Sequence, residues 1–277
     1  MLIVIIVLLI LIAGYLLLIL PNLRWREKDA RPLLNRDYAH RGLWNQERPE
    51  NSLSAFAAAR DAGYGIELDV HRTADGHLVV HHDDNLKRMC GADIKIGDAT
   101  LEAVRACHLK DTDERVPTFD EVLAVVDGKI PMIVELKTED NVDALCEAVW
   151  ERMRRYEGVW CMESFDPRAV RWFRRHAGRV IRGQLANGGS LRKAKSAKAR
   201  RQLFLLKSQL GNALGRPDFI AYDAATDGNL PMALVRLMKP LLVCWTIRSQ
   251  EMMDRQRGRY DIQIFEGFIP RQPSPRS

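Results

Sequence analysis

The sequence contains few cysteines, and their placement excludes two classes of small protein. Five cysteines are scattered over 277 residues, and no two of them form a Cys-x-x-Cys pair. A disulfide-stapled scaffold needs a denser, even-numbered set, and a structural zinc site needs closely paired thiols. Neither class fits this chain, and scattered thiols are typical of a reducing compartment.

The chain also lacks the composition of a disordered protein. Hydrophobic residues make up 47% and charged residues 28% of it, without a long low-complexity tract. The net charge is +6, but the basic residues are not interleaved with aromatic residues and form no known nucleic-acid-binding motif. We therefore expect a folded protein that does not bind nucleic acid.

The longest uncharged run lies at the amino terminus. Met1 to Leu20 is apolar, and twenty helical residues span about 30 Å, the thickness of the hydrocarbon core of a bilayer. A cleaved signal peptide is the rival interpretation, but it would need a basic residue before a shorter apolar core and a small-residue cleavage site. We predict a retained transmembrane helix over residues 1–20.

Basic residues follow this run within a predicted juxtamembrane linker, residues 21–36. They are Arg24, Arg26, Lys28 and Arg31. By the positive-inside rule, we expect a single-pass protein of the cell membrane with its large domain in the cytoplasm.

A second basic stretch covers residues 192–207 and reads RKAKSAKARRQLFLLK. Its composition predicts either a solvated helix face or a contact with anionic lipid headgroups. The last residues, 271–277, are expected to form a disordered tail.

Between linker and tail, short β-rich runs alternate with helical patterns. The candidate strands are Tyr38–His40, Gly65–Val70, Leu78–His82, Met132–Leu136, Val159–Glu163, Val180–Leu185, Phe219–Tyr222, Leu241–Ile247 and Ile262–Phe265. The alternation predicts parallel βα units, so residues 37–270 are expected to form one TIM (β/α)8 barrel. Nine candidate strands are one too many, so one is either false or a short strand outside the barrel.

Ionisable side chains lie at the ends of the first four candidate strands. They are His40 and Arg41, Glu67 and Asp69, His82 and Asp83, and Glu135 and Lys137. Alternate residues of a strand share a face, so the two members of the second and fourth pairs point together. If the four strands are parallel, these groups converge at the carboxyl-terminal mouth of the barrel, where barrel active sites lie.

The chemistry of this cluster favours a metal site beside a phosphate site. Three crowded carboxylates repel one another unless a cation lies among them, and oxygen ligands without thiolates favour Mg²⁺ or Ca²⁺. Nearby histidines could act as general acid and base, while Arg41 and Lys137 could hold a phosphate. His81 and His82 point to opposite faces of their strand, and the pattern does not decide which of them reaches the mouth.

Several short motifs occur in order along the chain. They are HRG at 40–42, RPENS at 48–52, IELDV at 66–70, TADGHLVVHHDDNLKRMCG at 73–91, VPTFDEVL at 116–123 and IVELK at 133–137, with weaker matches in ESFDP at 163–167 and CWTIR at 244–248. Together they resemble the motifs of glycerophosphodiester phosphodiesterases. The resemblance implies a metal-dependent TIM-barrel hydrolase that splits a glycerophosphodiester into glycerol phosphate and an alcohol.

The same resemblance implies a role for each matching residue. His40 and His82 would be the general acid and base; Glu67, Asp69 and Glu135 the ligands of Mg²⁺ or Ca²⁺; and Arg41 and Lys137 the phosphate contacts. Glu50 would lie close by and bind the glycerol of the substrate or a metal-bound water. Family barrels often end in a Thr-Asp pair, whereas this chain reads IQIFEGFIP at 262–270, so that wall of the pocket is expected to differ.

Two alternatives stay open. A lysophospholipase D or phospholipase-like enzyme could use the same histidines and metal, with an apolar pocket for an acyl chain. A non-catalytic membrane-tethered binding module is the other alternative, and the presence of both histidines and all three carboxylates weighs against it.

Overall fold

Short apolar strands alternate with helices along most of the chain in a computed structural model that describes residues 1–22, 27–138, 141–193 and 196–271. The strands are β1 Asp37–His40, β2 Gly65–Arg72, β3 Leu78–Val80, β4 Met132–Leu136, β5 Trp160–Ser164, β6 Arg182–Ala186, β7 Phe219–Asp223, β8 Leu241–Ile247 and β9 Ile262–Phe265. The helices are α1 Leu2–Ile19, α2 Glu27–Ala30, α3 Leu53–Asp61, α4 Lys87–Cys90, α5 Leu101–Arg105, α6 Phe119–Val126, α7 Val142–Met153, α8 Pro167–His176, α9 Ala197–Lys207, α10 Asn212–Gly215, α11 Leu230–Leu237 and α12 Gln250–Gln256.

Eight of the strands form a closed parallel barrel. The order around it is β1, β2, β4, β5, β6, β7, β8 and β9, and β9 pairs with β1 to close the ring. Helices cover the outside between successive strands. The predicted TIM barrel is therefore confirmed.

The strand that lies outside the barrel is the short strand β3. Its direction shows that one step of the sequence argument was wrong. β3 pairs antiparallel with the outer part of β2, with Val70 opposite Val80. The first four candidate strands are therefore not all parallel. His82 still reaches the mouth, because β2 runs past the mouth and β3 returns until the His81 amide donates to the Asp69 carbonyl at 3.0 Å.

Local sequence signals fix where the helices begin. Ser52 caps α3 by accepting a hydrogen bond from the Ala55 amide. Thr118 and Glu121 form a reciprocal capping box at the start of α6, which satisfies two amides that the helix cannot pair internally. These caps fix the residue at which each helix begins.

Apolar side chains fill two layers on either side of the strands. The larger layer lies between the outside of the barrel and its helices. The smaller layer fills the barrel interior and includes Tyr38, Phe219 and Leu33, which are all buried. Leu33 follows α2 and accepts a hydrogen bond from the Tyr38 hydroxyl at 2.8 Å, so the segment before β1 closes the amino-terminal end of the barrel.

Helix α1 is long and apolar enough to be a candidate membrane span. Residues 1–14 are exposed, whereas the last turn packs on the barrel, with Ile19 fully buried and Tyr15 donating to the Ser208 carbonyl at 2.9 Å. Parts of three predicted segments lie outside the described residues, namely 23–26 of the linker, 194–195 of the basic stretch and 272–277 of the tail.

Candidate active site

Three buried carboxylates meet at the mouth of the barrel. Glu67 and Asp69 lie on β2, and Glu135 lies on β4 directly opposite Asp69. Ligand oxygens of the three residues lie within 4.8 Å of one another. This arrangement follows from the strand pattern, because alternate residues of β2 point into the barrel and neighbouring strands are in register.

Two cations partly offset the charge of these carboxylates. The Lys137 ammonium lies 2.9 Å from Asp69 Oδ1 and 2.8 Å from Glu135 Oε1, and the Arg41 guanidinium lies 3.5 Å from Asp69 Oδ2. Burial alone would raise the pKa of Asp69, but Lys137 and Arg41 hold it far below its ordinary value. Burial and repulsion from Asp69 raise the pKa of Glu67 well above its ordinary value.

Burial also raises the pKa of Glu135 to about 6, even though Lys137 opposes the shift. Glu67 Oε2 accepts from the backbone amide of Arg41 at 3.3 Å and lies 3.7 Å from the His40 ring, and among the described residues no lysine or arginine forms an ion pair with it. The three carboxylates together are a buried oxygen site that lacks full charge compensation from the neighbouring side chains. Such a donor set fits a divalent cation with hard oxygen ligands.

His40, at the end of β1, is held by the carboxylate of Glu266, the residue that follows β9. Its Nδ1 lies 2.5 Å from Glu266 Oε2, and Arg248 donates from Nε to Glu266 Oε1 at 2.8 Å. Burial lowers the pKa of His40, although the Glu266 bond opposes the shift. Because an ionised carboxylate can only accept, Nδ1 carries the proton and Nε2 is left free to exchange one with a bound molecule.

His82 is held in the same way, by the carboxylate of the next residue, Asp83. Its Nδ1 lies 2.7 Å from Asp83 Oδ1, and Arg88 donates to Asp83 Oδ2 at 2.6 Å. Burial lowers the pKa of His82 to about 4. His82 lines the cavity with the carboxylates, whereas His81 is buried with Nδ1 on the Asp83 carbonyl at 2.9 Å, so the structure brings His82 to the mouth.

Glu50 supports arginines in the structure and does not line the mouth cavity. Its Oε1 accepts from Arg41 Nη1 at 2.8 Å and from Arg88 Nη2 at 2.6 Å. It therefore connects the arginine beside Asp69 to the arginine that holds Asp83. That Glu50 binds the glycerol of the substrate or a metal-bound water, as the resemblance implies, stays a prediction; in this structure its carboxylate orients Arg41.

The mouth holds a cavity of about 190 Å³ that contains residues the sequence reasoning did not select. Its walls include Glu163 at the end of β5, the edge-to-face pair Phe165 and Trp245, and Arg248 and Glu266. Glu163 Oε2 and the Trp245 indole N–H are buried and have no hydrogen-bond partner among the described residues. These groups could hydrogen-bond a ligand in the cavity.

The sequence contained a signal that could have identified some of these cavity residues. Glu163 and Trp245 lie in the two weaker motifs, and Glu266 stands at the departure from the usual end of the barrel. Closure of the barrel makes β9 the neighbour of β1, so a carboxylate just after β9 lies next to His40. That pairing requires the closed topology, which a linear pattern does not display.

The structure thus combines a closed parallel barrel with two carboxylate-backed histidines and a buried carboxylate triad at its mouth. Residues 40–260 match the sequence profile of the Glycerophosphoryl diester phosphodiesterase family. Because this match covers most of the chain, the protein belongs to that family.

Curated relatives cover part of the chain. Human lysophospholipase D GDPD1 is 33% identical over 173 residues, which are 56% of this chain and 54% of the relative. A glycerophosphodiester phosphodiesterase of Caldanaerobacter subterraneus is 38% identical over 108 residues, which are 36% of this chain and 44% of the relative. The chain thus spans about half the length of the curated relatives it matches.

Solved structures share the barrel at low identity. An Oleispira antarctica phosphodiesterase, solved with the product sn-glycerol-3-phosphate, aligns with a TM-score of 0.69 and 20% identity over 85% of this chain and 94% of that chain. A Thermotoga maritima glycerophosphodiester phosphodiesterase aligns with a TM-score of 0.62 and 24% identity over 83% and 94%. At such identities the likeness shows the fold.

Proposed function

We propose that this protein hydrolyses glycerophosphodiesters to glycerol phosphate and an alcohol, with His40 and His82 as the acid–base pair. The observation that carries the proposal is the pair of carboxylate-backed histidines, His40 with Glu266 and His82 with Asp83, in one cavity with a buried carboxylate triad. Family membership and the product in the Oleispira antarctica structure support the substrate class.

Glu67, Asp69 and Glu135 would hold a divalent cation, either Mg²⁺ or Ca²⁺. Their fit rests on burial, on oxygen atoms within 4.8 Å and on the incomplete compensation of Glu67. When bound, the cation would supply Lewis-acid polarisation of a phosphate oxygen. Arg41 and Lys137 would add positive charge to the same side of the phosphate.

The histidines would move the protons. A glycerol hydroxyl attacks phosphorus while Nε2 of one histidine takes its proton; the phosphorus–oxygen bond to the alcohol breaks, and Nε2 of the other histidine protonates the leaving oxygen. Water then opens the cyclic phosphate with the two roles reversed, so one water is consumed overall. Glu266 and Asp83 stabilise each imidazolium as it forms, as a buried carboxylate does in a catalytic triad.

The purified full chain tests this proposal through product release. Glycerophosphocholine and glycerophosphoethanolamine should each yield glycerol phosphate in a coupled assay with Mg²⁺ or Ca²⁺ present. Release of choline or ethanolamine phosphate instead would place the cleavage at the other ester bond and contradict the proposal.

A lysophospholipase D activity is the second candidate, because human, rat and mouse lysophospholipase D GDPD1 are 32–33% identical to this chain over their matched regions. The same cleavage would then act on a diester that carries an acyl chain. Turnover of glycerophosphocholine against lysophosphatidylcholine, both in detergent solution, separates the two activities. A non-catalytic binding module would turn over neither.

The proposed location is the cell membrane, with α1 retained as a single span and the barrel in the cytoplasm. The burial of Ile19 and the bond from the Asn212 side chain to its carbonyl at 2.9 Å support retention, because cleavage after the run would remove Ile19 and leave the Asn212 side chain and the apolar surface beneath Ile19 uncovered. Protease digestion of intact spheroplasts tests the orientation, and digestion of the barrel without lysis would contradict it. Lipid contact through residues 192–207 stays a prediction.

A further inference from the structure

Helix α1 is attached to one particular face of the barrel. Arg216 donates from Nη1 to the carbonyls of Leu17 and Leu20 at 2.7 and 2.6 Å, and the Asn22 amide donates to the Pro217 carbonyl at 2.9 Å. Arg216 and Pro217 immediately precede β7. The helix therefore meets the barrel at the amino-terminal ends of the strands, the end opposite the mouth.

The apolar run passes into the barrel without a free linker. Leu20 is bonded to Arg216, and Asn22 also donates from its side chain to Asp218 Oδ1 at 2.6 Å. A bilayer core takes up about 20 helical residues, whereas α1 already contacts the barrel from Tyr15 onward, so the apolar run leaves no spare length between the bilayer and the barrel. If α1 spans a membrane, this end of the barrel lies at the bilayer surface.

The surface around this attachment carries basic and apolar side chains. The chain has no acidic residue between Asp166 and Asp218. Arg174, Arg175 and Arg179 are exposed at the end of α8, which packs beside α10, and Lys239 is exposed just after α11. Leu214 and Leu237 are also exposed beside the same attachment, at 42% and 78%.

We propose that this surface, defined by Arg174, Arg175, Arg179, Leu214, Leu237 and Lys239, rests on the anionic headgroups of the bilayer that α1 spans, so that the catalytic mouth faces the aqueous phase. Lysine and arginine side chains near an anionic leaflet each add attraction, and exposed leucines at the same level enter the interface. The continuity of the surface with the apolar helix identifies the bilayer as its partner.

This placement deepens the proposed function and rests on it, because it names the substrate class. β7 has five residues and so rises about 17 Å from the membrane side to the mouth. A water-soluble glycerophosphodiester reaches that mouth by diffusion. A lysophospholipid would have to withdraw its acyl chain from the bilayer, and every methylene withdrawn costs free energy.

The basic stretch 192–207 begins on the opposite side of the barrel. The residues before it follow the carboxyl end of β6, where the Gly188 amide donates to the Thr226 hydroxyl at 2.8 Å, beyond the end of β7. Its first residues therefore lie on the mouth side. In this placement they face water, and Arg192, which is exposed, offers a control for charge on that side.

Two leucines of α11 provide matched probes of the placement. Leu230 begins the helix on the mouth side and is 70% exposed, while Leu237 ends it on the membrane side and is 78% exposed. The two cysteines that are not buried, Cys90 and Cys107, are replaced by serine in the full chain. Leu230→Cys or Leu237→Cys is then introduced and labelled with an environment-sensitive fluorophore. The labelled protein is reconstituted in phosphatidylcholine vesicles with or without phosphatidylglycerol.

The label at position 237 should be quenched by a lipid-borne quencher, and the label at 230 should remain exposed to water. Arg174→Glu with Arg175→Glu should reduce the quenching at 237 in anionic vesicles, whereas Arg192→Glu should leave it unchanged. Equal quenching at both positions, no quenching at either, or a loss caused by Arg192→Glu alone would overturn the proposed surface.

Activity in the same vesicles tests the substrate class. Glycerophosphocholine in the buffer should be hydrolysed at least about tenfold faster than lysophosphatidylcholine in the bilayer. Faster hydrolysis of the bilayer lysolipid would overturn the claim. If neither substrate is hydrolysed while the two labels differ as expected, the proposed function and the substrate class fail and the membrane surface stands.

Discussion

At the scale of single residues, the two histidines carry the proposed chemistry. We expect His40→Ala and His82→Ala each to lower turnover of glycerophosphocholine by at least about 10²-fold, because each removes a positioned proton donor or acceptor. Circular dichroism should show an intact fold. His108→Ala is the control, since the His108 side chain is exposed and hydrogen-bonds the Thr112 carbonyl, away from the mouth cavity. Near-normal turnover by either folded active-site variant would contradict the assignment.

Glu266 is expected to act on turnover through His40. Glu266→Gln keeps the size of the side chain but removes the charge that fixes Nδ1–H and stabilises the imidazolium. We expect kcat to fall at least about 10-fold with a much smaller change in KM, because His40 loses the carboxylate that fixes its tautomer and stabilises its imidazolium. Glu266→Asp should recover part of the loss. A change confined to KM would indicate a substrate contact instead.

Residue-scale prediction from sequence succeeded where the strand period alone decides the position. Glu67, Asp69 and Glu135 share the inward face of two adjacent strands, and the structure brings them together. Glu266 and Glu163 needed more information, because each depends on which strands become neighbours after the barrel closes. Single-residue patterns contain no direct record of that pairing.

At the scale of elements, the turn after β1 sets the position of Arg41. Gly42 has φ +82°, and a Cβ there would lie 2.9 Å from the Ala55 side chain at the start of α3. Gly42→Ala should therefore lower the free energy of unfolding by roughly 1–3 kcal/mol, measured by urea denaturation, because it combines backbone strain with a clash.

Gly63→Ala is the matched control for that substitution. Gly63 has φ +76°, but no atom of the described residues would lie within 4 Å of a Cβ at this position. Gly63→Ala should therefore lower the free energy of unfolding by only about 1 kcal/mol, which is the contribution of backbone strain alone. Equal losses at the two positions would show that the contact between this turn and α3 contributes nothing.

The antiparallel β3 is the element that the sequence argument misplaced. Its alternating pattern fits a parallel or an antiparallel strand equally well, because side chains alternate in both. Only five residues separate Arg72 from Leu78, too few for the crossover that a parallel pair requires. That spacing was a usable signal, and it explains why His82 arrives at the mouth from the opposite direction to the other site residues.

At the scale of the whole molecule, the carboxylate triad should make stability depend on pH and on cations together. The raised pKa values of Glu67 and Glu135, about 6 for Glu135, mean that their protonated forms are favoured in the fold. Stability from these groups is therefore present at low pH, and it is lost as the pH rises through about 6 for Glu135 and as the pH rises well above the ordinary glutamate range for Glu67. A bound divalent cation would offset that loss.

The increase in melting temperature caused by Mg²⁺ or Ca²⁺ should therefore be larger at pH 8 than at pH 5, as measured by differential scanning calorimetry. Glu67→Gln should remove most of the increase at pH 8, while Glu251→Gln on α12 should leave it intact. An increase that is the same at both pH values and in both variants would show that the cation does not bind at the triad.

The barrel as a whole was predictable because nearly every strand and helix carries its own local signal, and one known architecture accommodates their alternation. The attachment of α1 was not predictable in the same way. It depends on Asn212 and Arg216, which are ordinary polar residues in the sequence and become helix partners only when β7 and α1 meet at one end of the barrel.

The most direct test of the account is the restoration of activity by a divalent cation. The full chain is stripped with a chelator, and glycerol phosphate release from glycerophosphocholine is followed as Mg²⁺ or Ca²⁺ is added back. We predict no release from the stripped protein and restored release with at least one of the two cations, but not in Glu67→Gln. Full activity of the stripped protein, or silence of the folded protein with both cations, would contradict a metal-assisted glycerophosphodiester hydrolase.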